Sequence, residues 1–235
     1  MIAVAAENDA GAAERIAAVR KKISLACARA GRNVSEITLL PVSKGRSVAQ
    51  IAEMSKLGFN SFGENYAREL LEKSKTLAAQ NIFPEWHFLG HLQSNKASKI
   101  AAAASMVQSV DSESLAGKIS SAASSNAQIR DVLAEVNIAG EEQKFGVHPD
   151  ETIALCKKIS ALSGVRLRGL MCMAPFGGAE TARRHFANMR VLFEKTKREL
   201  APDSFNVLSM GMSNDFEIAV EEGSTLVRIG RALFE

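Results

Sequence analysis

The chain has 235 residues, 46% hydrophobic and 23% charged, with a formal net charge of +3. That is enough for one domain with a full core and short for two. Without a Lys/Arg block or basic–aromatic interleaving, so small a charge argues against nucleic acid as a partner. Apolar stretches are short and broken by charge, so no membrane-spanning helix is expected. Glu7 and Asp9 stand where a signal peptide needs positive charge. Cys27, Cys156 and Cys172 are odd in number and form no CxxC pair, which fits a reduced, cytoplasmic setting.

In chain order, a helix over 12–30 comes first. Ile16, Val19, Ile23 and Cys27 fall at helical spacing, and Gly31 stands where a C-terminal cap is wanted. Eight strands are then predicted, at 37–43, 60–63, 86–90, 106–111, 132–138, 167–173, 206–211 and 225–230. Helical stretches alternate with them, at 47–57, 65–79, 92–104, 112–125, 149–162, 180–200 and 214–222. The stretch 180–200 has the clearest apolar face, with Phe186, Met189, Phe193 and Leu200. Pro41 lies inside the first strand and suggests a local bulge there. Alternating strands and helices imply parallel pairing with right-handed crossovers. Eight such units in this length imply an α/β chain folded as a single (β/α)8 TIM barrel, one domain over 1–235 with residues 1–34 as an extra helix on the barrel. A doubly wound open sheet is the alternative, disfavoured because no GxGxxG follows the first strand.

Functional residues of such barrels gather at the C-terminal ends of the strands. The first strand runs into Val42-Ser43-Lys44. By strand alternation Lys44 shares a face with Leu40 and Val42, so it is expected to rise, partly desolvated, into the mouth and present an amine able to attack a carbonyl. A surface lysine is the blander alternative. After the seventh strand, Ser213 fits an N-cap, and helix N-termini attract phosphate. The eighth strand ends in Val227-Arg228-Ile229-Gly230. Loops after strands seven and eight commonly hold phosphate, and Gly230 lets backbone approach closely. Arg228 is a lone charge in an apolar strand and needs a partner, either a ligand or a structural carboxylate.

His87 and His91 are four apart, but no carboxylate accompanies them as in HExxH, so no metal site is expected and His87 reads as a polar pocket or core residue. His148 and His185 read as surface residues. Lys96 and Lys99 share a face that reads as solvated. Ser213 is not in a GxSxG elbow and has no Asp–His pair, so a serine hydrolase is not expected.

Taken together, certain segments carry a resemblance over about residues 35–234. They are Val42-Ser43-Lys44, Phe62-Gly63-Glu64-Asn65-Tyr66 and the run from Trp86 to Lys96. Further on come Asn137 with Glu141, Lys144 and Gly146, then Gly169-Leu170-Met171 with Pro175, then Leu208 to Ser213 with Asp215, and Gly223-Ser224-Thr225 with Val227 to Gly230. In this order they resemble the YggS/PROSC family of pyridoxal phosphate (PLP) homeostasis proteins. The resemblance implies a barrel like the N-terminal domain of alanine racemase, with PLP held as a Schiff base on Lys44. It implies that Ser213 and the backbone at Gly230 hold the phosphate, that Arg228 faces the pyridine nitrogen, and that Asn65 and Met210 line the pocket. It implies a structural or lid role for the 141–146 loop.

Two consequences follow. A guanidinium beside the pyridine can only donate a hydrogen bond, which disfavours the protonated ring and weakens PLP as an electron sink. A racemase also needs a second base, and the single tyrosine, Tyr66, reads more readily as a packed or solvent-tipped helix residue. A monomeric PLP carrier that serves PLP homeostasis and hands its cargo to apo-enzymes, without dedicated turnover, is therefore the expectation. A weak PLP-dependent racemase or lyase, and a phosphosugar aldolase or isomerase without PLP, are the alternatives.

Overall fold

The computed structural model describes residues 2–141, 143–175, 177–200 and 203–235, with side chains from residue 11 onward. Eight strands are joined in one parallel sheet, in the order β1-β8-β7-β6-β5-β4-β3-β2. They are β1 (Thr38–Pro41), β2 (Ser61–Glu64), β3 (Glu85–Phe88), β4 (Met106–Val110), β5 (Arg130–Val136), β6 (Val165–Cys172), β7 (Val207–Ser209) and β8 (Leu226–Ile229). The ring is closed between β1 and β2 by one parallel bridge, Val42 to Gly63, and by Ser43 N–H donating to Gly63 O at 2.9 Å. Each expected strand is present; β1, β4, β7 and β8 are shorter than expected, β2 is shifted by one residue to end at Glu64, and β3, β5 and β6 begin one or two residues earlier and end sooner.

The helices are α1 (Ile2–Ala30), α2 (Val48–Lys56), α3 (Ala67–Ala78), α4 (Ala97–Ala103), α5 (Glu113–Ser124), α6 (Thr152–Ser160), α7 (Ala179–Leu200), α8 (Phe216–Glu221) and α9 (Arg231–Phe234). Caps fix several of their starts. Ser47 and Gln50 form a capping box on α2, and the Ser112 hydroxyl accepts from Leu115 N–H on α5. The expected helices over 92–104 and 149–162 begin instead with 3-10 turns, Ser94–Lys96 and Pro149–Glu151, so the α-helices after them are shorter than the periodicity suggested. Helix α9 was not expected. None of the described helices is long and apolar enough to cross a membrane.

Helix α1 lies against α8 and α9. Ile16, Val19, Ile23, Ala26 and Cys27 are buried in that contact layer. Arg32 reaches across to the carbonyls of Val220 (2.7 Å) and Ser224 (2.8 Å), and Arg15 to that of Leu233 (2.9 Å). These bonds tie α1 and the turn after it to the C-terminal ends of α8 and α9.

Pro41 causes no bulge. The β1–β8 register is unbroken from Thr38↔Leu226 to Pro41↔Ile229. The N–H groups of Thr38 and Val42 both donate to β8, so by alternation position 41 faces β2, where no ladder bond is required until Val42. The sheet's irregularity lies elsewhere, at β6. Pairing with β5 jumps from Val132↔Leu167 to Leu133↔Gly169, leaving Arg168 extra. Gly169 takes φ +153, and a Cβ there would lie 1.8 Å from Val207 O, so only glycine allows β7 to approach.

The barrel interior is layered. Leu226, Val207, Met106 and Leu133 belong to two small apolar clusters within the ring, the first with Leu40 and Leu89, the second with Met171. Two residues further along the same strands stand Arg228, Ser209, Gln108 and Glu135, all buried. Residues i and i+2 share a face, and the strands are parallel, so an apolar floor carries a polar layer nearer the C-terminal rim. Outside the ring, the main core fills the space between sheet and helices around Phe62, Trp86, Phe88, Phe186 and Phe205.

Candidate functional site

A cavity of about 610 Å³ opens at the C-terminal ends of the strands, within the size range of small-ligand sites. Its lining includes Lys44, Arg46 and Asn65 from the segments after β1 and β2, Ser213, Asn214 and Asp215 after β7, Arg228, Gly230 and Arg231 from β8 and beyond, and, after β6, Met173–Pro175 and Gly177–Ala179. Lys44, Asn65, Ser213, Arg228 and Gly230 are thus brought together from chain positions far apart. Met210 is fully buried and does not line the cavity, whereas Met212 does. Gly211, at φ +95, turns the chain between them.

Lys44 does not continue the strand. Strand β1 ends at Pro41, and Lys44 stands exposed on a turn closed by Arg46 N–H donating to Ser43 O at 2.9 Å. Its amine is therefore not desolvated by the barrel interior, contrary to the expectation from strand alternation. The turn is held from beneath. Lys73, buried on α3, donates to Ser43 O at 2.7 Å, Glu64 Oε1 at 2.6 Å and Glu69 Oε2 at 2.7 Å. The Ser43 hydroxyl donates to Glu64 at 2.7 Å, and Gly45 N–H donates to Glu69 at 2.9 Å. Burial pushes the Glu64 carboxyl up, and the bonds from Lys73 and Ser43 counter it. Burial would also raise Glu69, but bonds from Lys73 and Gly45 outweigh it and leave its carboxyl below the ordinary value. Glu64 and Lys73 were not singled out for chemistry in the sequence, because their meeting with residue 43 spans up to 30 positions of chain.

The loops after β7 and β8 carry a set of backbone donors. Ser213 is not a helix N-cap. Helix α8 begins at Phe216 after Asp215, whose carboxylate accepts from Met212 N–H at 2.6 Å. The Ser213 hydroxyl instead accepts from Ala232 N–H at 3.4 Å, tying the loop after β7 to the turn after β8. Among the described residues, the backbone N–H groups of Ser213, Asn214, Gly230 and Arg231 meet no protein acceptor. Four such donors around one end of a cavity suit an anion, phosphate above all. At Gly230 the nearest atom to an added Cβ is Val42 O at 3.4 Å, so the backbone there is open to close approach.

Arg228 closes the floor. It is 4% exposed, and its guanidinium donates to Ser209 Oγ at 2.6 Å and Cys172 O at 2.8 Å. No carboxylate pairs with it among the described residues, which removes the structural-carboxylate alternative; its charged neighbours Glu135 and Asp215 act only at longer range. A guanidinium cannot accept a hydrogen bond. Ser209 must therefore accept from it and donate onward to Gln108 Oε1 at 2.6 Å, and the Gln108 amide then donates to His87 Nδ1 at 3.0 Å. His87 thus carries its proton on Nε2. Burial, opposed only by the more distant Asp131, pulls its pKa down to about 4, so it is neutral. This chain keeps the Arg228 plane fixed without a counter-charge. Glu135, beside it in the polar layer, is pushed up to about 7 by burial and by Asp111 nearby, with Arg228 opposing.

The remaining sequence candidates lie apart. His91 stacks on Phe145 with ring centroids 3.7 Å apart and is 3.9 Å from Asp111. Among the described residues no cluster of His, Cys, Asp or Glu could hold a metal ion. Tyr66 is exposed and lines a separate groove beside the cavity with His91 and Lys96. His148 is exposed, as expected. His185 is partly covered, and burial lowers its pKa. The Asn137 side chain staples the following loop, donating to the carbonyls of Glu141 (2.8 Å) and Lys144 (3.3 Å), while Gly146 packs against Asn137 backbone at φ +109.

The comparisons with known proteins agree with this architecture. The family model "Alanine racemase, N-terminal domain" matches residues 15–235. A relative from Aquifex aeolicus, named pyridoxal phosphate homeostasis protein, is 40% identical over 228 residues, covering 95% of this chain and 97% of its own. One of the same name from Haemophilus influenzae is 38% identical and covers 92% of each chain. The chain belongs to the pyridoxal phosphate homeostasis protein family. The solved structure of PipY from Synechococcus elongatus with PLP bound aligns at a TM-score of 0.83 and 32% identity, over 95% of this chain and all of that one. Alanine racemase from Clostridium difficile shares the fold alone, at a TM-score of 0.68 and 16% identity, and this chain spans about half (54%) of it.

Proposed function

We propose that this chain binds pyridoxal phosphate as a Schiff base on Lys44 and serves intracellular PLP homeostasis, without dedicated catalytic turnover. One observation carries the ligand: a single cavity joins an exposed primary amine, a cradle of unsatisfied backbone N–H groups and a buried guanidinium that lacks a carboxylate. Those three features answer an aldehyde, a phosphate and an aromatic nitrogen acceptor. The residues fit the group. Ser213, Asn214, Gly230 and Arg231 would hold the phosphate, Arg228 would meet the pyridine nitrogen, and Asn65 and Met212 line the walls between them. Met210 acts only from behind this wall. PLP bound there supplies a reactive aldehyde to primary amines.

Two features support storage over turnover. Arg228, fixed by Ser209 and Cys172, offers a hydrogen-bond donor where protonation of the ring would need an acceptor. Among the described residues, no tyrosine, histidine or cysteine lines the cavity, and of its carboxylates Asp215 already accepts from Met212 N–H and Glu235 pairs with Arg46. The open mouth and the lone amine suit capture of PLP and hand-over to apo-enzymes.

The test is a PLP titration followed by dialysis, run beside an α-deuterium exchange assay over a broad amino-acid panel. The expected result is retained PLP with exchange no faster than free PLP gives. Fast exchange on one amino acid would move a racemase or lyase to the front. Failure to retain PLP would favour a phosphosugar ligand for the same cavity.

A further inference from the structure

We infer that Lys73 is a positioning residue for Lys44: with Glu64 and Glu69 it clamps both peptide groups that flank Lys44 and so determines where that amine stands in the cavity. This rests on the proposed PLP reading and extends it to residues outside the cavity lining.

The geometry is specific. Lys44 is exposed and its own side chain has no hydrogen-bond partner among the described residues, so the backbone alone directs it. That backbone is held at three points. Ser43 N–H donates to Gly63 O at 2.9 Å, where the barrel closes. The carbonyl before Lys44 accepts from Lys73 Nζ at 2.7 Å, and the N–H after it donates to Glu69 at 2.9 Å. Lys73 bridges the last two directly, since it also donates to Glu69 at 2.7 Å. Its third proton goes to Glu64, which is fully buried. An ammonium has three donors, and all are spent on this one turn.

The arrangement is costly if it serves the fold alone. Buried ion pairs add little net stability against apolar replacements, and Glu64 Oε2 has no partner among the described residues. Strand pairing is sparse here, since β1 and β2 share one bridge rather than a ladder. A clamp at this seam holds in place a turn that strand pairing leaves loose.

The test compares the full-length chain with Glu64→Gln/Lys73→Met, which removes the buried pair as a neutral unit, and with Glu69→Gln, which leaves that pair intact. Far-UV circular dichroism establishes that each variant is folded. Hydrogen exchange of the 43–46 segment is then measured without PLP, and PLP release and the distribution of borohydride-fixed PLP among lysines are measured with it. In the double variant, segment exchange and PLP release are expected to rise about tenfold, the effect of losing one charged hydrogen bond. Fixed PLP is expected to spread from Lys44 to other lysines. Glu69→Gln is expected to move all three readouts the same way by less. A folded double variant with unchanged exchange and an adduct still confined to Lys44 would overturn the inference. If the double variant does not fold, Glu69→Gln decides by the same two readouts. If the unmodified chain fails to take PLP, the PLP reading fails, and the exchange comparison still decides whether Lys73 holds the turn.

Discussion

Lys73 and Arg228 are both buried cations near the C-terminal rim of the barrel, one beneath the turn that carries Lys44 and one lining the cavity, yet the protein balances them differently. Lys73 meets two carboxylates within 2.7 Å and a backbone carbonyl. Arg228 meets a hydroxyl and a carbonyl, and behind the hydroxyl a neutral relay through Gln108 to His87. A compensated charge has its electrostatic partners already and can act only by holding shape. An uncompensated one keeps unsatisfied capacity toward a ligand that supplies lone pairs. The contrast separates a positioning side of the site from a recognition side.

The largest effect that could break this contrast is on stability. Lys73→Met alone strands the buried Glu64 carboxylate and is expected to cost about 3–5 kcal/mol, read as a shift in the guanidinium chloride midpoint. Arg228→Met removes an uncompensated charge and leaves only Ser209 and Cys172 O short of a donor, so it is expected to cost no more than about 1–3 kcal/mol while strongly weakening PLP retention. Equal losses in the two variants would erase the distinction.

Next comes the pH dependence of the polar layer in the ligand-free protein. Glu135 is raised to about 7, so between its unfolded value and 7 the folded state holds a proton that the unfolded state has lost, and stability falls as pH rises through that window. His87 is lowered to about 4, so its contribution is present above its unfolded value of 6.5 and is lost as pH falls toward 4. The two slopes oppose each other over much the same range. At pH 8 the buried Glu135 carboxyl is ionised against its surroundings. Glu135→Gln is therefore expected to stabilise the protein there by up to about 3 kcal/mol, the free-energy equivalent of raising a carboxyl from its ordinary value to about 7. It should also uncover a steep loss on acidification, seen in thermal melts from pH 4 to 8. Melts with the same pH profile as the unmodified chain would show that Glu135 is not held protonated.

The smallest expected effect sharpens the recognition side. Ser213→Ala removes the hydroxyl that links the loop after β7 to the turn after β8. It is expected to weaken inorganic phosphate binding about fivefold, the equivalent of ~1 kcal/mol for one neutral hydrogen bond, measured by calorimetry. No change would show that the hydroxyl's link between the two loops does not shape the anion site.

Much of this was legible in the sequence. The barrel followed from eight apolar runs alternating with helical periods, and Lys44, Asn65, Ser213, Arg228 and Gly230 followed from strand ends and the family resemblance. What was lost depended on local geometry or distance. The turn at Gly211 exchanges Met210 for Met212 on the cavity wall, and a one-residue shift in facing is invisible without the φ that glycine adopts there. Ser213 reads as an N-cap only if the helix starts at 214, whereas α8 starts at Phe216, behind Asp215. The clamp under Lys44 joins β1, β2 and α3, and only closure of the ring brings them together. The polar layer did leave a signal. Met106/Gln108, Leu133/Glu135, Val207/Ser209 and Leu226/Arg228 each place a polar residue two positions after an apolar one, nearer the rim.

The most direct test is the visible spectrum of the purified protein with PLP, before and after borohydride, on the unmodified chain and on Lys44→Ala. The predicted result is a yellow band that borohydride removes, a pyridoxyl adduct mapped to Lys44, and neither in the variant. An adduct on another lysine, or no band after added PLP, would contradict the assignment of Lys44 as the attachment point.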